Sequence, residues 1–394
     1  MSHTKMLSEL LLTFEIYLTS KPNQIGITEW ISTEQLGKQV EKRELSPEEA
    51  RALVNGNILL RLDHVTGISL AVAEELAKGS PGQSLYLNGL TDISPEVAET
   101  LAKPVFKIHL NGLKDISPST AEALAKGEST LYLNGLTELS PASAEALSNH
   151  KSFLFLNGLP ALSDTAASAL AKHGSALHLN GIKELSDAAA KALATQKGFL
   201  YLNGISNFSS NAAKALGKKR GWLFLNGFKE ISPVVAEGLG QHSGRLHLNG
   251  IEKLSPAAAE ALASQSGSLS LNGIKEITPS VATGLAKGQG ELNLNGITEL
   301  SPDSAQELAK FKGILNLNGL REISPAVAEA FSKHEAKLLY LDGLTELSDP
   351  AARALANQKG VISLVGLKNL SETAAECLRS SKAGIILPPQ FQRE

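Results

Sequence analysis

Apolar residues recur in this chain at one fixed interval. The triplet Leu-x-Leu is followed by Asn-Gly at Asn88, Asn111, Asn134, Asn157, Asn180, Asn203, Asn226, Asn249, Asn272, Asn295 and Asn318, and every step is 23 residues. Weaker copies carry Asp63 before the series and Asp342 and Val365 after it, which gives fourteen strand-turn units. Self-similarity at such a period is the signature of a repeat array whose units bury their apolar faces only by stacking. The register slips twice: Gly79-Ser80-Pro81-Gly82 adds two residues and the segment around Lys337 adds one. Both insertions are expected to fall between elements.

Each repeat position predicts a local structure. Leu-x-Leu alternates with period two, so it reads as a short strand with leucines inward and the middle residue outward. Asn-Gly then turns the chain. Gly tolerates positive φ, and an inward Asn can bond the backbone of a neighbouring coil, so stacked Asn residues predict a ladder. Ser or Thr follows at fifteen starts from Ser46 and Ser69 to Ser371, with Pro next at nine of them. A hydroxyl at the N-cap with Pro at the first helical position marks a helix start. Ala lies four residues after every cap, and Leu seven after, except at Phe331. That spacing places both on one helix face, with Ala permitting close approach to the sheet.

Strand, turn and helix in every coil imply an α/β architecture: a right-handed β-α solenoid with one long parallel sheet and outer helices. Fourteen strands at ~4.8 Å spacing give a sheet ~65 Å long. On these motifs the chain resembles the leucine-rich repeat family, and in particular bacterial variants of 23 residues. The resemblance covers about residues 44 to 387 and implies the solenoid fold and a binding scaffold rather than an enzyme. The chain departs from that family in placing Asn directly after Leu-x-Leu rather than two residues later. Residues 1–43 lack the repeat; Met6, Leu7, Leu10, Leu11, Phe14, Tyr17 and Leu18 fall at helical spacing and predict an N-terminal helical cap. The solenoid is expected over 44–384. Residues 385–394 then supply a last strand and cap, with Pro388-Pro389 in place of Asn-Gly to stop the ladder.

Charge is nearly balanced, 37 Lys+Arg against 40 Asp+Glu, so no global field draws the chain to nucleic acid or an anionic membrane surface. The single cysteine, Cys377, forms no internal disulfide, which suits a reducing compartment. Leu7 to Leu18 is broken by Glu9 and Glu15 and has no small-residue cleavage site after it, so neither a signal peptide nor a membrane span is expected. A cytoplasmic location follows as the expectation. Chemistry is sparse. Cys377 stands where other coils place Ala; His150, His173, His242 and His334 recur ten residues after their caps, where a cation would favour the helix C-terminus. Asp63-His64 is an isolated pair, and Lys218-Lys219-Arg220 reads as a solvated basic loop. No phosphate loop, zinc spacing or dinucleotide motif occurs, so neither cofactor nor metal is expected, and catalysis is not expected.

Two outward rows stand out. An acidic row two residues before the caps runs through Asp92, Asp115, Glu138, Glu184, Glu230, Glu276, Glu299, Glu322 and Glu346, often preceded by Lys or Arg that offsets repulsion. The mid-strand row reads Tyr86, His109, Tyr132, Phe155, His178, Tyr201, Phe224 and His247, then changes to Ser270, Asn293 and Asn316 before Tyr340. Beside it lie Phe153, Phe199, Trp222 and Arg245. Cross-strand stacking explains rings but not their restriction to part of a regular array, so the row predicts a concave face that binds a protein or peptide partner. A carbohydrate or small-ligand surface and a purely structural spacer are the alternatives. His178 and His247 are expected to protonate near pH 6.

Overall fold

A computed structural model describes residues 44–54, 59–104, 106–358, 360–381 and 384–392. The N-terminal cap helix expected within 1–43 lies outside the described residues.

Among the described residues, fifteen strands of two or three residues form one parallel sheet whose spatial order is the order of the sequence. The fifteenth, Gly384–Ile386, pairs with Val361–Ser363 and continues the fourteen strands expected from the repeat. A helix of seven or eight residues follows each of the first fourteen strands, and another, Pro47–Val54, precedes them. The result is a β-α solenoid of leucine-rich-repeat type. Register advances by one repeat per strand, as in Leu154 opposite Leu177 and Leu200 opposite Leu223. Both insertions fall between elements: one between helix Leu70–Leu76 and strand Ser84–Tyr86, the other between helix Pro325–Phe331 and strand Leu338–Tyr340.

The core is a single column of leucine and alanine. Leu154, Leu156, Ala144 and Leu147 are fully buried, and their counterparts recur coil after coil. Each buried leucine contributes ~1.5–3 kcal/mol by leaving water. Helix starts follow the Ser-Pro signature: Ser140 Oγ accepts from the Ser143 N–H at 3.0 Å, and Ser301 Oγ from the Ser304 N–H at 3.2 Å. The cap thereby satisfies an amide that the first helical turn leaves without a partner.

The asparagine ladder forms as the repeat implies. The Asn180 N–H donates to Asn157 Oδ1 at 3.0 Å, the Asn203 N–H to Asn180 Oδ1 at 3.0 Å, and so on along the sheet. Asp63 is its first acceptor and Asp342 its last, the latter receiving the Val365 N–H at 3.2 Å. Valine offers no acceptor and Pro388 no donor, so the ladder ends there. The turn glycines act differently from expectation. Among described residues only Gly82 and Gly221 take positive φ. Gly135 is required for space instead, because a Cβ there would collide with the Asn111 carbonyl oxygen of the preceding coil.

Candidate functional site

The mid-strand residues stack into a continuous column on the outward face of the sheet. Tyr132 lies over Phe155 at 4.2 Å between ring centroids, Phe155 over His178 at 3.9 Å, and His178 over Tyr201 at 3.8 Å. Tyr201 then meets Phe224 at 4.0 Å and Phe224 meets His247 at 4.3 Å, with interplanar angles of 6° at both contacts. Tyr86 and His109 extend the column the other way at 3.9 Å. Parallel strands in strict register carry identical positions side by side, so planar side chains there are forced into face-to-face contact. The Arg61 guanidinium, 4.8 Å from the Tyr86 centroid, covers one end as a cation over a π face. At the other end the row turns polar: Ser270 Oγ donates to Asn249 Oδ1 at 2.8 Å and Asn316 Nδ2 to Asn293 Oδ1 at 2.7 Å.

A second, shorter row lies beside the column. Phe199 and Trp222 stack at 4.6 Å, and the Arg245 guanidinium sits over the other face of Trp222 at 4.6 Å. Trp222 also leans on Phe224 and His247, at 5.9 Å to each. Phe153 stands two strands from Phe199, with Ala176 between them, and no ring contact joins the two. The rows differ in exposure. Column rings are half-buried because they cover each other's faces, whereas Phe153 is 46% exposed, Phe199 36%, and Arg245 is exposed. All ten residues singled out from the sequence therefore lie on one sheet face, and nine of them, Phe199, Trp222 and Arg245 in the short row and Tyr132, Phe155, His178, Tyr201, Phe224 and His247 in the column, are joined by ring or cation contacts.

The histidines do not titrate near pH 6 as expected. Burial between neighbouring rings penalises the charged imidazolium and pushes His178 and His109 down to about 4. Burial also lowers His247, helped by the Arg245 charge beside it. At neutral pH the column is uncharged.

Structure assigns a different role to the residues ten positions after the caps. His150, His173, His242 and His334 are buried rather than solvated at helix ends, and burial lowers each of their pKa values, His150 to about 4. A favourable cation at the helix dipole is thus excluded. They belong to an interior polar column with Gln196, Lys219, Gln265 and Gln358. Its members pin the loop of the preceding coil: Gln196 Nε2 donates to the Ser175 carbonyl at 2.6 Å and Gln265 Nε2 to the Gly244 carbonyl at 2.8 Å. Lys219, expected in a solvated loop, is fully buried, and its Nζ donates to the carbonyls of Gln196, Gly198 and Arg220 at 2.7, 2.9 and 3.0 Å. Desolvation brings its pKa down to about 8. The sequence signal for this column was the constant offset from the cap; His, Gln and Lys filling it obscured the shared task. Asp63, paired in sequence with His64, is occupied as the first ladder acceptor. Among the described residues, no three or more His, Cys, Asp or Glu converge on a possible metal position. Among them too, no helix is long and apolar enough to cross a membrane.

No family model and no curated protein matches the sequence. Solved structures similar to it include an internalin from Listeria monocytogenes, 16% identical, covering 86% of this chain and 93% of that one with a TM-score of 0.41. A leucine-rich repeat protein from Leptospira interrogans is 14% identical over 89% of this chain and 96% of its own, at a TM-score of 0.45. A chain of the mouse RP105/MD-1 complex is 16% identical, with 74% of this chain covering 59% of that one, at a TM-score of 0.46. The solenoid itself is established by the sheet and helix order described above.

Proposed function

We propose that the protein is a non-enzymatic scaffold that binds a protein or peptide partner on the outward face of its sheet, with Phe153, Phe199, Trp222 and Arg245 as the contact row. The carrying observation is the exposure of Phe153 and Phe199, whereas the other described phenylalanine and tryptophan rings are buried or half-buried. Other coils place small residues at this row, such as Ala176 and Ser268, so the strand does not require a large ring there, and exposed rings favour a partner that desolvates them. The stacked column beside it supplies a rigid flank, which lowers the ordering cost of binding. Sugar stacking has less support, because both faces of Trp222 are already covered by Phe199 and Arg245.

The test compares affinity purification by the wild-type chain with that by the Trp222→Ala/Phe224→Ala variant. A partner retained by the first should be weakened by at least ~2 kcal/mol in the second, as measured with the purified pair. Leu223 and Leu225 stay in place, so the variant should keep its fold. Unchanged affinity with a lowered melting temperature would assign the rings to sheet stability alone, the spacer reading.

A further inference from the structure

The helix face carries a second departure from the repeat. Five residues after the cap the repeat commonly places Glu, as at Glu99, Glu145 and Glu260, and nine after it commonly places Lys. These two positions meet across adjacent coils: Lys126 reaches Glu99 at 2.9 Å, Lys172 reaches Glu145 at 2.6 Å, and Lys287 reaches Glu260. In two consecutive coils the acidic member is inverted, to Lys191 and Lys214. By the same register Lys218 should bridge residue 191, and finds a lysine. Lys191, Lys214 and Lys218 line an open pocket of about 620 Å³ together with Lys197 and Arg220, and no carboxylate lines it. None of the five side chains forms an ion pair among the described residues.

Five cations with no carboxylate among the lining residues repel one another, and the helix dipole does not account for them. The dipole favours cations at helix ends in every coil, including those that keep Glu at the same position. Glu145 and Glu260 show that the fold accommodates an acid there, so the inversion is not a packing requirement. We propose that this pocket, between the ends of helices Asp187–Leu193 and Ser210–Gly217, binds a compact, multiply charged phosphate ligand. Its volume lies in the ~300–1,000 Å³ range of small-molecule sites. Lysine ammoniums and a forked guanidinium are the groups that hold phosphate oxygens. A long polyanion fits poorly, because the same helix row carries Glu145 on one side and Glu237 on the other.

Calorimetric titration of the full chain with inorganic tripolyphosphate at low salt tests this. Saturable binding is expected, weakened roughly tenfold or more by 0.2 M NaCl. The Lys191→Glu/Lys214→Glu variant should lose binding by roughly tenfold or more while melting no lower than wild type, since Lys191→Glu offers Lys218 the carboxylate that Glu145 offers Lys172. A nucleoside triphosphate forms a second arm: affinity equal to tripolyphosphate assigns recognition to the phosphates alone, tighter affinity adds the base, and either upholds the site. Absence of saturable heat up to about 1 mM, undiminished affinity in the variant, or equally tight binding of a short duplex DNA would overturn the proposal.

Discussion

Replacing His178 separates the structural duty of the ring column from its surface. Its imidazole is held between Phe155 at 3.9 Å and Tyr201 at 3.8 Å, so His178→Ala removes two stacked contacts at once. Aromatic pairs contribute ~0.5–1.5 kcal/mol each beyond their buried area, so the expected loss is ~1–3 kcal/mol. His178→Phe keeps a planar ring between both neighbours and should be more stable than His178→Ala at pH 7. The two variants diverge again in acid. Folded His178 titrates at about 4 against 6.5 for a free imidazole, so the unfolded chain takes the proton first. Stability is therefore full above about 6.5 and declines as pH falls toward 4. Phenylalanine removes that contribution, and His178→Phe should lose less stability between pH 7 and 5 than wild type, which retains it alongside the other buried histidines. Urea unfolding followed by circular dichroism at both pH values reads both effects. Equal stability of the Ala and Phe variants at pH 7 would refute stacking as the source of the column's contribution, and an unchanged acid decline in His178→Phe would refute the burial argument.

Two further substitutions probe the interior. Asn180→Ala leaves the Asn203 N–H without its acceptor and should cost ~1–3 kcal/mol in urea melts, whereas Asn180→Asp keeps an Oδ1 acceptor, as Asp63 and Asp342 already do; equal losses would disprove the ladder's role. Asn293, in the outward row, is half-buried and hydrogen-bonded to Ser268 and Glu291, so it offers no exposed control for this change. Lys219→Met leaves three carbonyls without this donor, that of Gln196 in a fully buried bond, and should cost ~2 kcal/mol; Lys219→Gln, matching Gln196 and Gln265 of the same column, should recover part of that loss in thermal melts, and no recovery would count against a shared hydrogen-bonding task.

Strands, turns, caps and the inward leucines were legible because every coil repeats the same local statement, and fifteen agreeing copies outweigh any ambiguity in one. What stayed hidden depends on distances between coils. The turn glycine reads locally as a site for positive φ, yet its reason is the neighbouring Asn111 carbonyl, which no single repeat contains. Lys219 looks like one of three surface cations until the preceding coil closes over it. The low pKa of His178 likewise arises from the rings on either side of it, although the row itself was evident by offset. Chemistry that varies along a constant position, as His, Gln and Lys do ten residues after the cap, conceals a constant role.

Departures from the repeat at outward positions carry a different message from departures in the core. A core change is constrained by volume and reports packing; an outward change is constrained only by stacking with its neighbours, so its confinement to a few coils needs another cause. Both outward departures fall in the same stretch. Lys197 lies two residues before Phe199, and Arg220 two residues before Trp222, so the loops that deliver the short-row rings to the sheet face also deliver cations to the helix-side pocket. Each loop turns from a helix end into a strand, with Gly221 at positive φ in the second. Lys219 fastens that second loop from within, bonding the carbonyls of Gln196 and Gly198 in the first. The two surfaces thus share one buried anchor. Loosening it should disturb ring stacking at Phe199 and Trp222 and cation spacing in the pocket together, whereas substitutions confined to either surface should leave the other's ligand affinity unchanged.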